Sequence, residues 1–304
     1  MKNESLKYPF EVKYKRVLDK FDIAYWEEGE GDNTILFVHG LGSYSYAWIK
    51  TIPILSKYFR CISIDLPGFG KSSVIDHDAT IDFYAGIIFE FLKESGISKI
   101  SLCGHSMGGA IVEHFSKKYP KFVEKLILIA PAGLEKFEPV EVVEILEFFK
   151  PELMLKTTPE QVRKNVTTHF LTLPPESEKM IQDRIDFRAE PCFSTHALII
   201  TKSVSGILKS QIFNEHFEVK IPVLLIFGAN DGLIPNRYYH KDLNTEILAN
   251  ESVSKYPDAK LILIDNCVFL NNAYCGLILY APQLSGSTGI LSMTIKNCIT
   301  VSYT

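Results

Sequence analysis

The stretch LCGHSMGGA, residues 102–110, places Ser106 between two glycines after an apolar run. A serine hydroxyl becomes an effective nucleophile only when a base within hydrogen-bond reach takes its proton and an acid orients that base. In the pattern GxSxG, a tight turn from a strand into a helix strains the serine backbone and raises its hydroxyl clear of the sheet edge. Larger flanking side chains would clash in such a turn. The pattern at residues 104–108 therefore predicts a nucleophile at Ser106.

The elements needed to position Ser106 belong to an alternation along the chain. Tyr84, Ile88 and Phe91 recur at helical spacing between two apolar runs, which indicates a helix packed on a sheet. Nearly continuous apolar runs are typical of strands that are covered on both faces. Six such runs are predicted as buried strands: 34–40, 61–68, 99–106, 125–133, 221–231 and 260–266. With a hairpin at 15–29, this predicts an α/β fold with a mostly parallel sheet flanked by helices.

One interval, residues 134–191, interrupts this alternation. It contains no strand candidate, and Val142, Ile145 and Phe149 form a helical stripe within it. Several prolines divide the remainder of the interval: Pro151, Pro159, Pro174, Pro175 and Pro191. We predict a helical insertion between two strands of the sheet.

Composition narrows the classes of function. The chain of 304 residues is 46% hydrophobic and 22% charged, with a net charge of −4. No basic cluster indicates a nucleic-acid or membrane surface, and no apolar run is long enough for a membrane span. The six cysteines are too sparse for a disulfide scaffold, and no paired spacing predicts a metal site or a cofactor. We expect a cytoplasmic protein that acts on a small molecule; no oligomeric state is predicted.

Four motifs in order carry a resemblance to a known family. They are HGLGS at 39–43, DLPGFGKS at 65–72, GHSMGG at 104–109 and GANDGLIP at 228–235. The chain resembles the α/β-hydrolase superfamily, specifically its capped serine hydrolases, over roughly residues 12–267. The resemblance implies the α/β-hydrolase fold.

The resemblance also implies roles for individual residues. Ser106 would be the nucleophile, and the backbone N–H groups of Leu41 and Met107 would form the oxyanion hole. Asp231 would be the acid, just beyond the carboxyl end of a strand, where open α/β sheets place their sites. Asp65 is the rival carboxylate, and we interpret it as a structural residue that holds the glycine turn after it. His39 and His105 would orient loops by the family pattern.

The predicted domain organisation follows from the same match. Residues 1–133 and 192–267 would form the α/β-hydrolase core, and residues 134–191 would form a helical cap over a mainly apolar pocket. Residues 268–304 form an atypical tail.

The base that would activate the serine is missing from its expected place. On this fold the order is serine, then acid, then histidine after the last strand. This chain has Val268 and Phe269 there, and no histidine follows His240. His240 is a weak substitute, because we expect it in a surface helix leading away from the sheet edge. No catalytic histidine is therefore identified.

The tail differs in composition from the rest of the chain. Residues 268–304 contain no Asp or Glu and a single charged side chain, Lys296. The closing helix expected here is not visible, and the sequence is β-prone and uncharged. Our hypothesis is that the reading frame changes near codon 267. The alternative is a native, divergent tail on a protein that has lost its base.

Two functions follow from these features. The first is a serine hydrolase that acts on an ester or related acyl bond of a small molecule through an acyl-enzyme, impaired because the histidine is absent. The second is a non-catalytic small-molecule binder of the same fold. A serine at the elbow argues against the dehalogenase and epoxide-hydrolase chemistries, which the family performs from an aspartate.

The nucleotide sequence tests the frame hypothesis directly. Translation of the other two frames beyond codon 267 should give Gly-His followed by a charged amphipathic helix. If neither frame contains this ending, the tail is native and the hypothesis is wrong.

Overall fold

The computed structural model describes residues 2–167, 170, 173–210, 220–264 and 291–293. Within them the chain forms one nine-stranded sheet of order β1-β2-β4-β3-β5-β6-β7-β8-β9. The strands are β1 Lys13–Val17, β2 Phe21–Glu28, β3 Thr34–Val38, β4 Arg60–Ile64, β5 Ile100–His105, β6 Val123–Ile129, β7 Val223–Gly228, β8 Ala259–Ile264 and β9 Leu291–Met293. Strand β2 pairs antiparallel with β1 and β4, and every other pairing is parallel. The prediction of a mostly parallel α/β sheet is confirmed.

Strand β6 ends earlier than the sequence predicts. The run predicted at 125–133 becomes β6, which ends at Ile129 because Ala130 takes a left-handed φ of 37° and Pro131 follows it. Strand β5 lies between β3 and β6, and all of its residues are buried. The centre of the sheet therefore carries the Ser106 turn.

Helices cover the sheet and fill the interval between β6 and β7. Their bounds are α1 Ile52–Leu55, α2 Ile81–Glu94, α3 Met107–Lys118, α4 Pro139–Phe148, α5 Pro151–Lys156, α6 Pro159–Thr167, α7 Ser177–Phe187, α8 Phe193–Ser210 and α9 Thr245–Val253. Thr80 caps α2 by accepting a hydrogen bond from the Phe83 N–H at 3.0 Å. The predicted stripe of Tyr84, Ile88 and Phe91 on α2 is buried.

Helices α4–α8, called the inserted helices below, follow β6. Every regular element described in the predicted cap interval, 134–191, is helical. Helix α8 lies beyond the predicted end of that interval, and it packs against α4 and α5 as well as against α2. The division into a core and a cap stays a prediction. None of the described helices combines the length and apolar character needed to cross a membrane.

The predicted tail lies almost entirely outside the described residues. Its described part, β9, extends the sheet by pairing parallel with β8. The frame hypothesis and the assignment of residues 268–304 as an atypical tail therefore stay predictions.

The carboxylate of Asp65 organises the loop after β4. It is fully buried and accepts hydrogen bonds from the Ser45 N–H at 2.7 Å, the Lys71 N–H at 2.8 Å and the Tyr8 hydroxyl at 2.6 Å. A Cβ on Gly70, where φ is +54°, would lie 2.2 Å from this carboxylate. Asp65 thus holds the glycine turn in place.

A glycine pair tests this packing. Gly70→Ala should destabilise the fold by about 2–4 kcal/mol, because it adds both a left-handed strain and a steric clash. Gly86→Ala is the matched control, since a Cβ at this position in α2 meets nothing within 4 Å. It should be neutral or stabilise by up to about 1 kcal/mol. Urea unfolding measures both, and equal effects would contradict this description of the Asp65 turn.

Candidate active site

Ser106 occupies a strained turn between β5 and α3. Its backbone has φ 51° and ψ −119°, outside the regions that non-glycine residues normally adopt. The turn is held from both sides, because the Ser106 N–H donates to the Ile129 carbonyl at 3.0 Å and the Ser106 carbonyl accepts from the Ala132 N–H at 3.0 Å. The end of β6 therefore fixes this conformation.

The glycines on either side of Ser106 are sterically required. A Cβ on Gly104 would lie 2.3 Å from the Gly108 carbonyl oxygen, and a Cβ on Gly108 would lie 2.3 Å from the Val38 carbonyl oxygen. The first clash would separate α3 from β5, and the second would separate α3 from β3. GxSxG at this position is thus a packing requirement as well as a sequence pattern.

The 39–43 loop lies directly against this turn. A Cβ on Gly40 would be 3.2 Å from the Ser106 Cβ. The Gly40 carbonyl accepts hydrogen bonds from His39 Nδ1–H at 2.8 Å and from the Ser43 N–H at 3.2 Å. The Leu66 N–H donates to His39 Nε2 at 3.0 Å, so both ring nitrogens are engaged. Burial lowers the His39 pKa, and this neutral ring orients the loop.

Two backbone N–H groups in the turn and loop around Ser106 have no acceptor among the described residues. Neither the Leu41 N–H nor the Met107 N–H donates to a backbone or side-chain acceptor there. Met107 is the first residue of α3, where an N–H has no intrahelical partner and the helix dipole favours negative charge. The assignment of Leu41 and Met107 as oxyanion donors stays a prediction.

Asp231 follows β7 and is fully buried. Its Oδ1 accepts hydrogen bonds from the Leu233 N–H at 2.9 Å and the Ile234 N–H at 3.1 Å. Its Oδ2 is buried and has no hydrogen-bond partner among the described residues. Burial raises the pKa of this carboxyl to about 6. One oxygen is thus fixed by the loop, and the other has the acceptor capacity that an orienting acid offers to a histidine.

A second carboxylate, Glu135, was missed by the sequence analysis. It accepts a hydrogen bond from the Asn236 N–H at 2.5 Å, which ties the end of β6 to the loop that carries Asp231. Burial, with a smaller contribution from the nearby Asp231 charge, raises the Glu135 pKa to about 7. The available signal was its place soon after β6, at the same carboxyl edge of the sheet as Asp231.

The expectation that His240 lies in a surface helix is wrong. Helix α9 begins later, at Thr245, because Asn244 caps it by accepting from the Ile247 N–H at 2.9 Å. His240 lies in the preceding turn, with its side chain 20% exposed and Nε2 at 3.5 Å from Glu135 Oε1. His240 thus lies beside Glu135, its Nε2 makes no hydrogen bond among the described residues, and no ion-pair contact to Asp231 is present there.

The remaining described histidines make contacts elsewhere. His77 contacts the Pro67 carbonyl, His114 contacts Asp82, His196 donates to the Gly68 carbonyl, and His105 is buried in β5. His169 and His216 lie outside the described residues. Among the described residues, no histidine contact joins Ser106 to Asp231, and the roles of Ser106, Asp231, Leu41 and Met107 stay predictions.

Comparison with known proteins places these features in a family. Residues 33–265 match the family model described as alpha/beta hydrolase fold. The chain belongs to the α/β hydrolase fold family. The match ends at residue 265, shortly before the uncharged tail of residues 268–304 begins.

Individual relatives of this family member are distant. It is 27% identical over 237 residues to 2-hydroxy-6-oxononadienedioate/2-hydroxy-6-oxononatrienedioate hydrolase 1 of Pseudomonas putida, covering 73% of this chain and 81% of that protein. It is 32% identical over 116 residues to the dihydrolipoyllysine-residue acetyltransferase component of the acetoin cleaving system of Cupriavidus necator, covering 38% of this chain and 31% of that relative. A probable hydrolytic enzyme from Pseudomonas aeruginosa PAO1 shares the fold, with a TM-score of 0.78, 22% identity and coverage of 90% and 92% of the two chains.

The buried acid makes a pH-dependent prediction about stability. Because burial raises the Asp231 pKa from 3.8 to about 6, the folded chain holds this proton more tightly than the unfolded chain. That contribution is fully present below about pH 4 and is lost as the pH rises through about 6. Asp231→Asn removes the buried charge, so it should raise Tm by about 2–4 °C at pH 8 and by less than half as much at pH 4. An equal shift at both pH values would contradict this assignment.

Proposed function

We propose that the chain is a serine hydrolase that cleaves an ester or related acyl bond of a small molecule through an acyl-enzyme. The observation that carries the proposal is the left-handed backbone of Ser106 at the strand–helix turn. A protein accepts the cost of such strain, about 1–3 kcal/mol, where the conformation serves a site. Here it presents a half-buried serine between two backbone donors.

The proposed reaction uses each group in turn. The Ser106 oxygen attacks the substrate carbonyl, and its proton passes to the leaving group as the acyl bond breaks. The N–H groups of Leu41 and Met107 stabilise the negative charge on the carbonyl oxygen, where one donor typically contributes about 10²–10³ in rate. Water then attacks the acyl-serine, releasing the acid and returning the proton to the serine oxygen.

The names of the relatives support a class of bond for this proposal, and they do not identify one substrate. The relative from Pseudomonas putida carries the name of a hydrolase acting on oxo-dienedioates, whereas the one from Cupriavidus necator is named an acetyltransferase component. Both names are consistent with acyl chemistry on small substrates. We therefore propose the class, an ester or related acyl bond including a carbon–carbon bond next to a carbonyl, and no single substrate.

The proposal includes slow turnover in this chain. No histidine follows His240 in the sequence, and the free oxygen of Asp231 has no donor among the described residues. Without a base, the oxyanion hole and substrate binding still leave about 10³–10⁴ over water in enzymes that have lost a triad member. The same two observations favour the second candidate, a small-molecule binder that has lost catalysis.

A fluorophosphonate probe separates the two candidates. The parent chain should be labelled at Ser106, identified by peptide mass spectrometry, at a rate well below that of a complete serine hydrolase. Ser106→Ala should abolish labelling and any hydrolysis of p-nitrophenyl acetate. His240→Gln should leave labelling within about twofold, because His240 contacts Glu135 instead of Asp231.

Two outcomes would contradict the proposal. Absence of labelling, with no ester hydrolysis, would favour the non-catalytic binder. A loss of about 10²-fold on His240→Gln would instead identify His240 as the base, a contribution typical of general base catalysis.

A further inference from the structure

Helix α7 contacts residues 42–46, which form the end of the 39–43 loop and the segment after it, at three places. Arg184 Nη2 donates to the Gly42 carbonyl at 2.9 Å. The Tyr44 hydroxyl donates to the buried Asp183 carboxylate, which also accepts from Lys179 Nζ at 2.7 Å. The Lys179 ammonium lies 5.1 Å from the centre of the Tyr46 ring. Helix α7 is therefore fixed to residues 42–46, the segment that follows β3.

Hydrogen bonds connect Arg184 to the Leu41 N–H through two peptide groups. Arg184 holds the carbonyl of the peptide that joins Gly42 to Ser43. The N–H of that same peptide donates to the Gly40 carbonyl at 3.2 Å. The Gly40 carbonyl belongs to the peptide whose N–H is that of Leu41. Because peptides are planar, fixing these two carbonyls fixes the direction of the Leu41 N–H.

The same chain of hydrogen bonds affects the strength of the donor. A hydrogen bond accepted by a peptide carbonyl polarises the N–H of that peptide, and successive bonds reinforce one another. The first donor here is a guanidinium, whose charge makes its hydrogen bonds stronger than neutral ones. Arg184 therefore both aims and polarises the N–H that would receive the oxyanion.

Glycine at position 42 makes this control necessary. Gly42 has a φ of +65°, and a Cβ there would meet nothing closer than Ile200 Cδ1 at 3.8 Å. A glycine peptide has more conformational freedom than any other, so its orientation depends on external contacts. Helix α7 supplies such a contact through Arg184.

We propose that Arg184 is a positioning residue for the oxyanion hole, linking the placement of α7 to the direction of the Leu41 N–H. This inference rests on the proposed serine hydrolase function. The inserted helices then contribute to the chemical step as well as to substrate binding.

The chain provides a matched control on the same helix end. Arg188 is also half-buried and donates to the carbonyls of Met154 at 2.8 Å and Leu155 at 3.0 Å. These acceptors belong to α5, so Arg188 joins inserted helices to each other and makes no contact with the 39–43 loop. Arg188→Ala therefore removes an arginine from the same region and leaves the contact between Arg184 and Gly42 in place.

The experiment compares the parent with Arg184→Ala, Arg184→Lys and Arg188→Ala. Arg184→Ala should lower kcat on p-nitrophenyl acetate and the fluorophosphonate labelling rate by about 10-fold, since it misaligns one oxyanion donor without removing it. KM should change by less than about threefold. Arg184→Lys should recover part of the loss, because its ammonium can donate to the same carbonyl. Arg188→Ala should stay within about twofold of the parent.

Hydrogen exchange gives a readout that needs no activity. In the intact chain, peptides covering residues 40–47 should exchange faster in Arg184→Ala and at the parental rate in Arg188→Ala. Thermal melting of every variant shows whether the fold is retained.

The results separate this inference from the proposed function. If the parent is labelled, but Arg184→Ala matches Arg188→Ala in rate and exchange, the positioning role is wrong and the hydrolase proposal stands. If the parent is not labelled, the hydrolase proposal fails. In that case, faster exchange confined to Arg184→Ala still supports control of the loop by Arg184, and equal exchange overturns it.

Discussion

The left-handed backbone of Ser106 is the constraint on which the candidate site depends. Such a conformation costs on the order of 1–3 kcal/mol and persists only when neighbouring contacts determine it. Here Ile129 at the end of β6 and Ala132 just after it bond to the two backbone groups of Ser106, and glycines at 104 and 108 let β5, α3 and β3 approach closely. The central position of β5 in the sheet makes these contacts available. The parallel order therefore provides the support that a strained serine requires.

The surroundings of the Ser106 turn favour a negative charge at the start of α3 and penalise one at the buried carboxyls of Asp231 and Glu135. Ser106 directly precedes α3, whose N-terminal N–H groups and dipole favour a negative charge there. At the neighbouring strand ends, burial raises the pKa of both Asp231 and Glu135, so a negative charge on either carboxyl is penalised. A positively charged partner would relieve that cost. In a complete triad the histidine has this role, so its absence affects stability as well as catalysis.

The sequence predicted the local parts of this site well, because each depends on a short motif whose chemistry is fixed by its own backbone. Ser106, its glycines and the placement of Asp231 after a strand are of this kind. The pairing of Glu135 with the Asn236 N–H and of Arg184 with the Gly42 carbonyl was not predicted. Those contacts join residues 101 and 142 positions apart, and they depend on how loops and inserted helices close over the sheet. His240 was expected in a helix, but it precedes α9, which begins at Thr245 after the cap at Asn244.

We infer that the backbone around Ser106 is already organised to bind an oxyanion. A crystal structure of the chain phosphonylated at Ser106 would test this inference. We expect the phosphoryl oxygen within about 2.7–3.1 Å of the backbone nitrogens of both Leu41 and Met107. A phosphoryl oxygen that points away from these two nitrogens, or a phosphorus atom attached to a different residue, would contradict it.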